Sequence, residues 1–176
     1  MELIKEIFRN KNLEKNGVVL QREAVRAVIF NSCGKLLMIF SEKRGDYKLP
    51  GGGIKGGETH MEALKREVQE ESGLTIGEII KELGLIIEYK EARDTGYDIF
   101  KMNSYYYKCQ AKGKMEKPKL DEYEVKLGFS PVWVHLDNVL EKNKKALESE
   151  FGNSNSWAER ETIFLEWLKE NMDKGS

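Results

Sequence analysis

The residues with the most chemistry in them lie between Gly51 and Ile76. Glu67, Glu70 and Glu71 stand at i, i+3 and i+4, and on a helix that spacing puts the three carboxylates on one face. Like charges so placed repel by roughly 0.2–0.5 kcal/mol per pair; a divalent cation between them reverses the sign. Hard cations such as Mg²⁺ take oxygen ligands, usually a few carboxylates together with substrate phosphates. The alternative is an ordinary solvated acidic face. Lys65, Gln69 and Glu62 occupy the side opposite the core, whereas the three glutamates flank the apolar stripe of Met61, Leu64 and Val68, which directs them to a cleft. This geometry alone leaves both readings open, since structural ion-pair networks also gather acids.

Those side chains need a scaffold. Thr59 to Ser72 forms the clearest helix: Thr59 and Glu62 make a capping box, and Gly73 supplies the stop. Residues 44–58 ahead of it are expected as loop, with six glycines between Gly45 and Gly57 that let the backbone approach a ligand closely. Residues 2–14 have a helical or frayed character. Val18 to Phe30 reads as strand, most buried over 25–30, and a turn at 31–34 leads to the apolar run 35–40, suggesting a hairpin. Further strands are expected at Ile76–Tyr89, Asn103–Ala111 and Val132–Leu136, and a helix at Leu136–Leu147. A second capping box, Ser156 to Glu159, opens a last helix to about Asn171 that buries Phe164, Trp167 and Leu168. The pattern is α+β, a mixed sheet between helical layers.

Loop and helix together carry a specific signature. The segment GGGIKGGETHMEALKREVQEESGLTI supplies Gly52, Glu58, Arg66, Glu67, Val68, Glu70, Glu71, Gly73 and Leu74. This resembles the Nudix box, Gly-x5-Glu-x7-Arg-Glu-U-x-Glu-Glu-x-Gly-U with U aliphatic, matched at all nine specified positions without insertion. Leu49-Pro50-Gly51-Gly52 before it and Val132-Trp133-Val134 in a late strand agree with the family too. The resemblance implies an α/β/α sandwich around a mixed central sheet, with the box as loop–helix–loop. It implies a pyrophosphohydrolase using Mg²⁺, with Mn²⁺ as a substitute, on a nucleotide or other diphosphate-containing small molecule. Glu70 and Glu71 would bind the ion, with Glu67 in the cluster and serving as base. Arg66 would orient a box carboxylate, Glu58 would hold loop to helix, and the Gly51 carbonyl would complete the metal shell. Gly52, Gly53 and Lys48 are expected at the substrate, although Lys48 also reads as an ordinary surface lysine. A further acid from a later loop is expected: Glu124 first, Glu122 second, against a solvated acidic loop.

Several residues stay outside this assignment. His60 and His135 are lone histidines and read as structural or surface residues. Tyr105, Tyr106, Tyr107, Trp133 and Trp157 could stack on a base, but aromatics in strands and helices are more often core. Trp157 and Arg160 are candidates for closing one side of the pocket.

The chain has 176 residues, which fits one Nudix domain: a core at about 20–145, an extension over 1–17 and a C-terminal helix at about 156–172. A net charge of −1 argues against a nucleic-acid-binding surface. Cys33 and Cys109 are too few to staple the fold and read as reduced thiols. No stretch reaches the length of a membrane span, and the charged N-terminus lacks the apolar run of a secretory signal. The expectation is a cytoplasmic enzyme, with a homodimer expected by analogy. Two other readings stand beside hydrolysis. A non-catalytic Nudix nucleotide sensor usually loses box acids or adds a DNA-binding domain, and neither occurs here. Isomerisation of an isopentenyl-type diphosphate needs a Cys and a Glu that Cys33 and Cys109 do not clearly match.

Overall fold

The computed structural model describes residues 1–13, 16–148 and 156–172, with Ser156 described by its backbone alone. The Ser156 side chain, and with it the second capping box, lies outside the described residues. Among the described residues, seven strands and four helices follow in the order β1 (Leu3–Phe8), β2 (Val19–Val28), β3 (Leu36–Ser41), β4 (Asp46–Lys48), α1 (His60–Ser72), β5 (Thr75–Glu91), β6 (Ile99–Lys112), α2 (Glu122–Leu127), β7 (Phe129–Val134), α3 (Leu136–Glu148) and α4 (Ser156–Asn171).

The expected mixed sheet is present, in the order β1-β5-β6-β2, with β1 parallel to β5, β2 parallel to β6, and β5 antiparallel to β6. Beside it β4-β3-β7 form a three-stranded antiparallel sheet. The turn at 31–34 does reverse the chain, with Asn31 donating to Lys35 O and Gly34 to Asn31 O. The hairpin expected from it does not extend: β2 and β3 belong to different sheets, and the backbone beyond β2 joins β3 at the Phe30–Leu36 bridge and the Leu37 N–H bond to Ile29 O.

The second edge of β2 is occupied instead by the glycine-rich loop. Val25 N donates to Gly52 O at 3.0 Å, Ala27 N to Pro50 O at 2.9 Å, and Ile54 N to Glu23 O at 2.9 Å. This docking explains Gly51, whose φ is +141° and where a Cβ would lie 2.1 Å from Val25 O; only glycine tolerates that approach.

Side chains of β2 alternate between two cores, as a strand's period of two requires. Val25, Ala27 and Ile29 pack with Ala63, Leu64 and Val68 of α1. Val28 packs with Val139 and Leu140 of α3 and with Phe164, Leu165 and Leu168 of α4. On β6, Tyr106 faces α4 and stacks on Phe164 at 3.7 Å, while Tyr105 and Tyr107 face α1. Trp133 packs at the α1 core and Trp167 at the α4 core.

Four local expectations are corrected. Residues 3–8 form a strand, not a helix; Ile7 is buried and Ile4 packs over Gly84, where a Cβ would fall 2.4 Å from the Ile4 Cδ1. The loop 44–58 contains β4, because Tyr47 pairs with Phe40 across a two-residue-period ladder. The acidic segment at 121–124 opens α2, with Asp121 as N-cap and Glu124 completing a capping box. His135 lies between β7 and α3 and not in a strand; its carbonyl accepts the N–H groups of Asn138 and Val139.

Candidate active site

The helix that carries the glutamates is fixed at both ends. Thr59 accepts from the Glu62 N–H while the Glu62 carboxylate takes the Thr59 N–H, and Gly73 closes the other end in the left-handed conformation at φ 73°. Burying Ala63, Leu64 and Val68 sets the rotation of α1 and thereby grades its acids. The Glu71 side chain is 2% exposed, Glu67 13% and Glu70 40%, so they run from core to solvent along one edge.

Arg66 ties this edge to the loop. Its guanidinium donates to both Glu58 oxygens at 2.6 and 2.8 Å, to Glu67 Oε1 at 2.5 Å, to Glu70 Oε2 at 3.3 Å and to the Gly53 carbonyl at 3.0 Å. Glu58 also accepts the Lys55 N–H at 2.8 Å. The bidentate Arg66 pair, helped by that backbone bond, holds the Glu58 carboxyl down at about 2. The expected role of Glu58, joining loop to helix, therefore has a geometric basis. Glu67 sits against the loop so closely that a Cβ on Gly52 would lie 2.5 Å from its carboxyl carbon. Burial raises the Glu67 pKa and the Glu71 charge adds to the rise; the Arg66 bond opposes it without prevailing. Arg66 thus lowers the proton affinity of Glu67, but burial outweighs it.

Lys48 is not an ordinary surface lysine. Its ammonium pairs with Glu71 Oε1, donates to the Gly51 carbonyl at 3.3 Å and lies 5.2 Å from the centre of the Phe129 ring. The other Glu71 oxygen accepts the Gly51 N–H at 2.9 Å. Arg26 also donates to the Gly51 carbonyl. Glu124 reaches the same corner: burial pushes its pKa up to about 7 against the Asp121 N–H bond, and the Glu71 charge contributes to the rise. Glu122 is exposed, whereas Glu124 is half-buried.

Among the described residues, no group of three or more His, Cys, Asp or Glu side chains stands arranged to hold an ion. The carboxylates are engaged by Arg66 and Lys48 instead. The donor chemistry nevertheless suits a hard divalent cation, being carboxylate and carbonyl oxygen throughout. A positive charge already rests between Glu71 and the Gly51 carbonyl, in the form of the Lys48 ammonium. Coordination by these oxygens requires Lys48 to swing away from Glu71.

The remaining candidates fall elsewhere. His60 Nδ1 meets the Tyr107 hydroxyl, and its ring packs 4.6 Å from that of Tyr105; this is a packing role. Trp157 donates to Asp46 Oδ2 at 3.1 Å and lies beneath the Arg44 guanidinium. Arg160 is buried between Glu88 at 2.7 Å and Glu161 at 3.0 Å. Sequence reasoning missed Arg26 and Glu161. The available signal was an arginine inside the most buried-looking stretch of β2, since a charge there demands a buried partner.

A family model describing a NUDIX domain matches residues 20–153. A zebrafish (Danio rerio) protein, "8-oxo-dGDP phosphatase NUDT18", is 37% identical over 86 residues, covering 42% of this chain and 26% of that protein. The chain thus aligns with only about a quarter of that relative's length. Among solved structures, a MutT mutator protein from Bacillus halodurans superposes with a TM-score of 0.52 at 23% identity, over 69% of this chain and 72% of that one. A NUDIX hydrolase from Nitrosomonas europaea gives 0.54 at 22% identity, over 71% and 79%. These structures share the fold. With the matched region spanning more than half of the chain and every box position filled, the chain belongs to the Nudix hydrolase family.

Proposed function

We propose that residues 1–176 act as one unit, a divalent-cation-dependent hydrolase of pyrophosphate bonds. Its substrates are nucleoside diphosphates linked to another moiety, or nucleoside triphosphates. The observation that carries this reading is the alignment of Glu67, Glu70 and Glu71 along one edge of α1, beside a glycine loop whose Gly51 carbonyl shares the Lys48 ammonium with Glu71. Glu70, Glu71, Glu67, the Gly51 carbonyl and Glu124 would hold Mg²⁺, with Mn²⁺ as a substitute. When bound, the ion supplies charge neutralisation at the diphosphate and a more acidic water.

The chain's own residues do the rest. Glu67, with its raised proton affinity, takes a proton from the attacking water, and a phosphate-containing group leaves. Arg66 holds Glu67 and Glu58 in fixed relation to the loop. Lys48, released from Glu71, carries its charge to a substrate phosphate, and Gly52 and Gly53 admit the substrate close to the backbone. The zebrafish relative's name makes 8-oxo-dGDP the first compound to try.

The test is a panel of nucleotides with Mg²⁺, with Mn²⁺ and with neither, products identified so that the cleaved bond is known. Glu67→Gln and Glu70→Gln should each lower turnover by orders of magnitude while the fold survives. Near-normal turnover in either variant refutes the assigned role. No helix among the described residues is long and apolar enough to cross a membrane. A cytoplasmic location and a homodimer complete the reading, on the strength of the resemblance; fractionation and sedimentation check them.

A further inference from the structure

The loop Leu49-Pro50-Gly51 hangs between two buried carboxylates from opposite faces of the sandwich. From the α1 side, Glu71 takes the Gly51 N–H at 2.9 Å. From the α4 side, Glu161 takes the Leu49 N–H at 2.9 Å. The Glu161 side chain is 0% exposed. Its second oxygen accepts Arg160 Nη2 at 3.0 Å and Nε at 3.2 Å and lies 3.9 Å from Arg26 Nε. Arg26 in turn donates to the Gly51 carbonyl. Glu161 therefore reaches the loop twice, directly at Leu49 and through Arg26 at Gly51. It does so from α4, which begins beyond residues 20–153, the span of the family match.

We propose that Glu161 is a positioning residue for the active-site loop, fixing the Leu49 amide and aiming the Gly51 carbonyl through Arg26. Burying an ion cluster rarely stabilises a fold more than well-packed apolar residues of similar volume would. What a buried carboxylate does supply is direction, because each oxygen must meet its donor. Leu49 precedes Pro50, which has no N–H of its own, so the Leu49 N–H is the anchoring donor on that side of Gly51. Losing it removes the loop's bond to α4, leaving the Ala27 N–H bond to Pro50 O and the Glu71 hold on Gly51. The inference rests on the reading of Gly51 as part of the catalytic site.

The test compares the full-length chain with Glu161→Ala, Glu161→Gln and Arg9→Met. Arg9 pairs with Glu88 at 2.6 Å and with Glu159, at the outer end of the same cluster, and touches no loop atom in those bonds. Three readouts are taken: amide exchange at Leu49, Mn²⁺ affinity by titration without substrate, and kcat against KM on a hydrolysed nucleotide. Glu161→Ala should lose Leu49 protection by about tenfold or more relative to the sheet amides. It should also weaken Mn²⁺ binding and lower kcat by about tenfold to a hundredfold, with KM little changed. Arg9→Met should lower the melting temperature and leave all three readouts as in the wild type. If Glu161→Ala does not fold, Glu161→Gln carries the test: its amide oxygen can keep the Leu49 bond, but its lost charge loosens Arg26, so Mn²⁺ affinity and kcat still fall.

Wild-type Leu49 protection in folded Glu161→Ala overturns the proposal. So does unchanged Mn²⁺ affinity in Glu161→Gln, or an equal kcat loss in Arg9→Met. If the wild type hydrolyses no compound in the panel, the proposed function fails; exchange and Mn²⁺ titration still decide the role of Glu161.

Discussion

Replacing Gly52 by alanine places one methyl group where the structure has no room for it and spares the backbone. The new Cβ would lie 2.5 Å from the Glu67 carboxyl carbon, 2.5 Å from Oε2 and 2.7 Å from Oε1. Carbon contacts relax at roughly 3.5 Å, so the carboxylate must retreat by about 1 Å. Arg66 grips that carboxylate at 2.5 Å while being anchored to Glu58 and to the Gly53 carbonyl, so the retreat drags an ion-pair network and does not swing one free side chain. Misplacing a catalytic group by about 1 Å costs on the order of a hundredfold in rate, or about 2.7 kcal/mol of transition-state stabilisation. Gly52 is not among the glycines with positive φ, so the fold should survive. Gly56→Ala is the control, since a Cβ there meets nothing within 4 Å. Gly51→Ala is the opposite case and should unfold the loop, its Cβ falling on Val25 O. The assay is kcat and KM with Mg²⁺, beside a thermal melt. A folded Gly52→Ala enzyme turning over at the wild-type rate would refute the placement of Glu67.

Other outcomes follow from the same contacts. Arg66→Lys keeps the charge but cannot bridge Glu58, Glu67 and the loop with one planar fork; kcat should drop more than about tenfold, and a variant with wild-type kinetics would contradict the clamp. Tyr106 is fully buried, and its hydroxyl has no hydrogen-bond partner among the described residues, so Tyr106→Phe should be neutral or stabilising by about 1 kcal/mol in a denaturant melt; a large loss of stability would show that the hydroxyl has a partner. Burial alone would raise Glu88, but Arg160 and Arg9 outweigh it and hold the carboxyl below its ordinary range. That stabilisation is complete above the ordinary Glu value, roughly 4.3. It is lost as pH falls through the lower folded value. Glu88→Gln should therefore flatten the acid limb of the stability–pH curve, and an unchanged limb would remove Glu88 as its source.

Local patterns proved readable wherever a feature depends on neighbours in the chain. Helix α1 shows both caps and the apolar face between Thr59 and Gly73, and that stretch grades the exposure of Glu67, Glu70 and Glu71. What depends on distant partners was hidden. Strand β1 is short and charge-bearing, and its strand character comes from pairing with β5 some eighty residues later. The run 35–40 looks the same in a hairpin as in a second sheet, because periodicity reports a face and not a neighbour. Arg26, Glu88, Arg160 and Glu161 lie far apart in the chain, and only their convergence from β2, β5 and α4 makes them partners in the interior. Lys48 was legible as a cation near the site, but its partner Glu71 was not.

The loop bonded along β2 also bears on how molecules of this protein can meet. Between Glu23 and Ile29 the outer margin of that strand is filled by Ile54, Gly52, Pro50 and Leu37. A neighbour trying to add a strand there finds its backbone donors and acceptors already spoken for. The other terminal strand of the mixed sheet is β1, where Lys5 and Glu6 stand as charged deterrents to sheet extension along Leu3–Phe8.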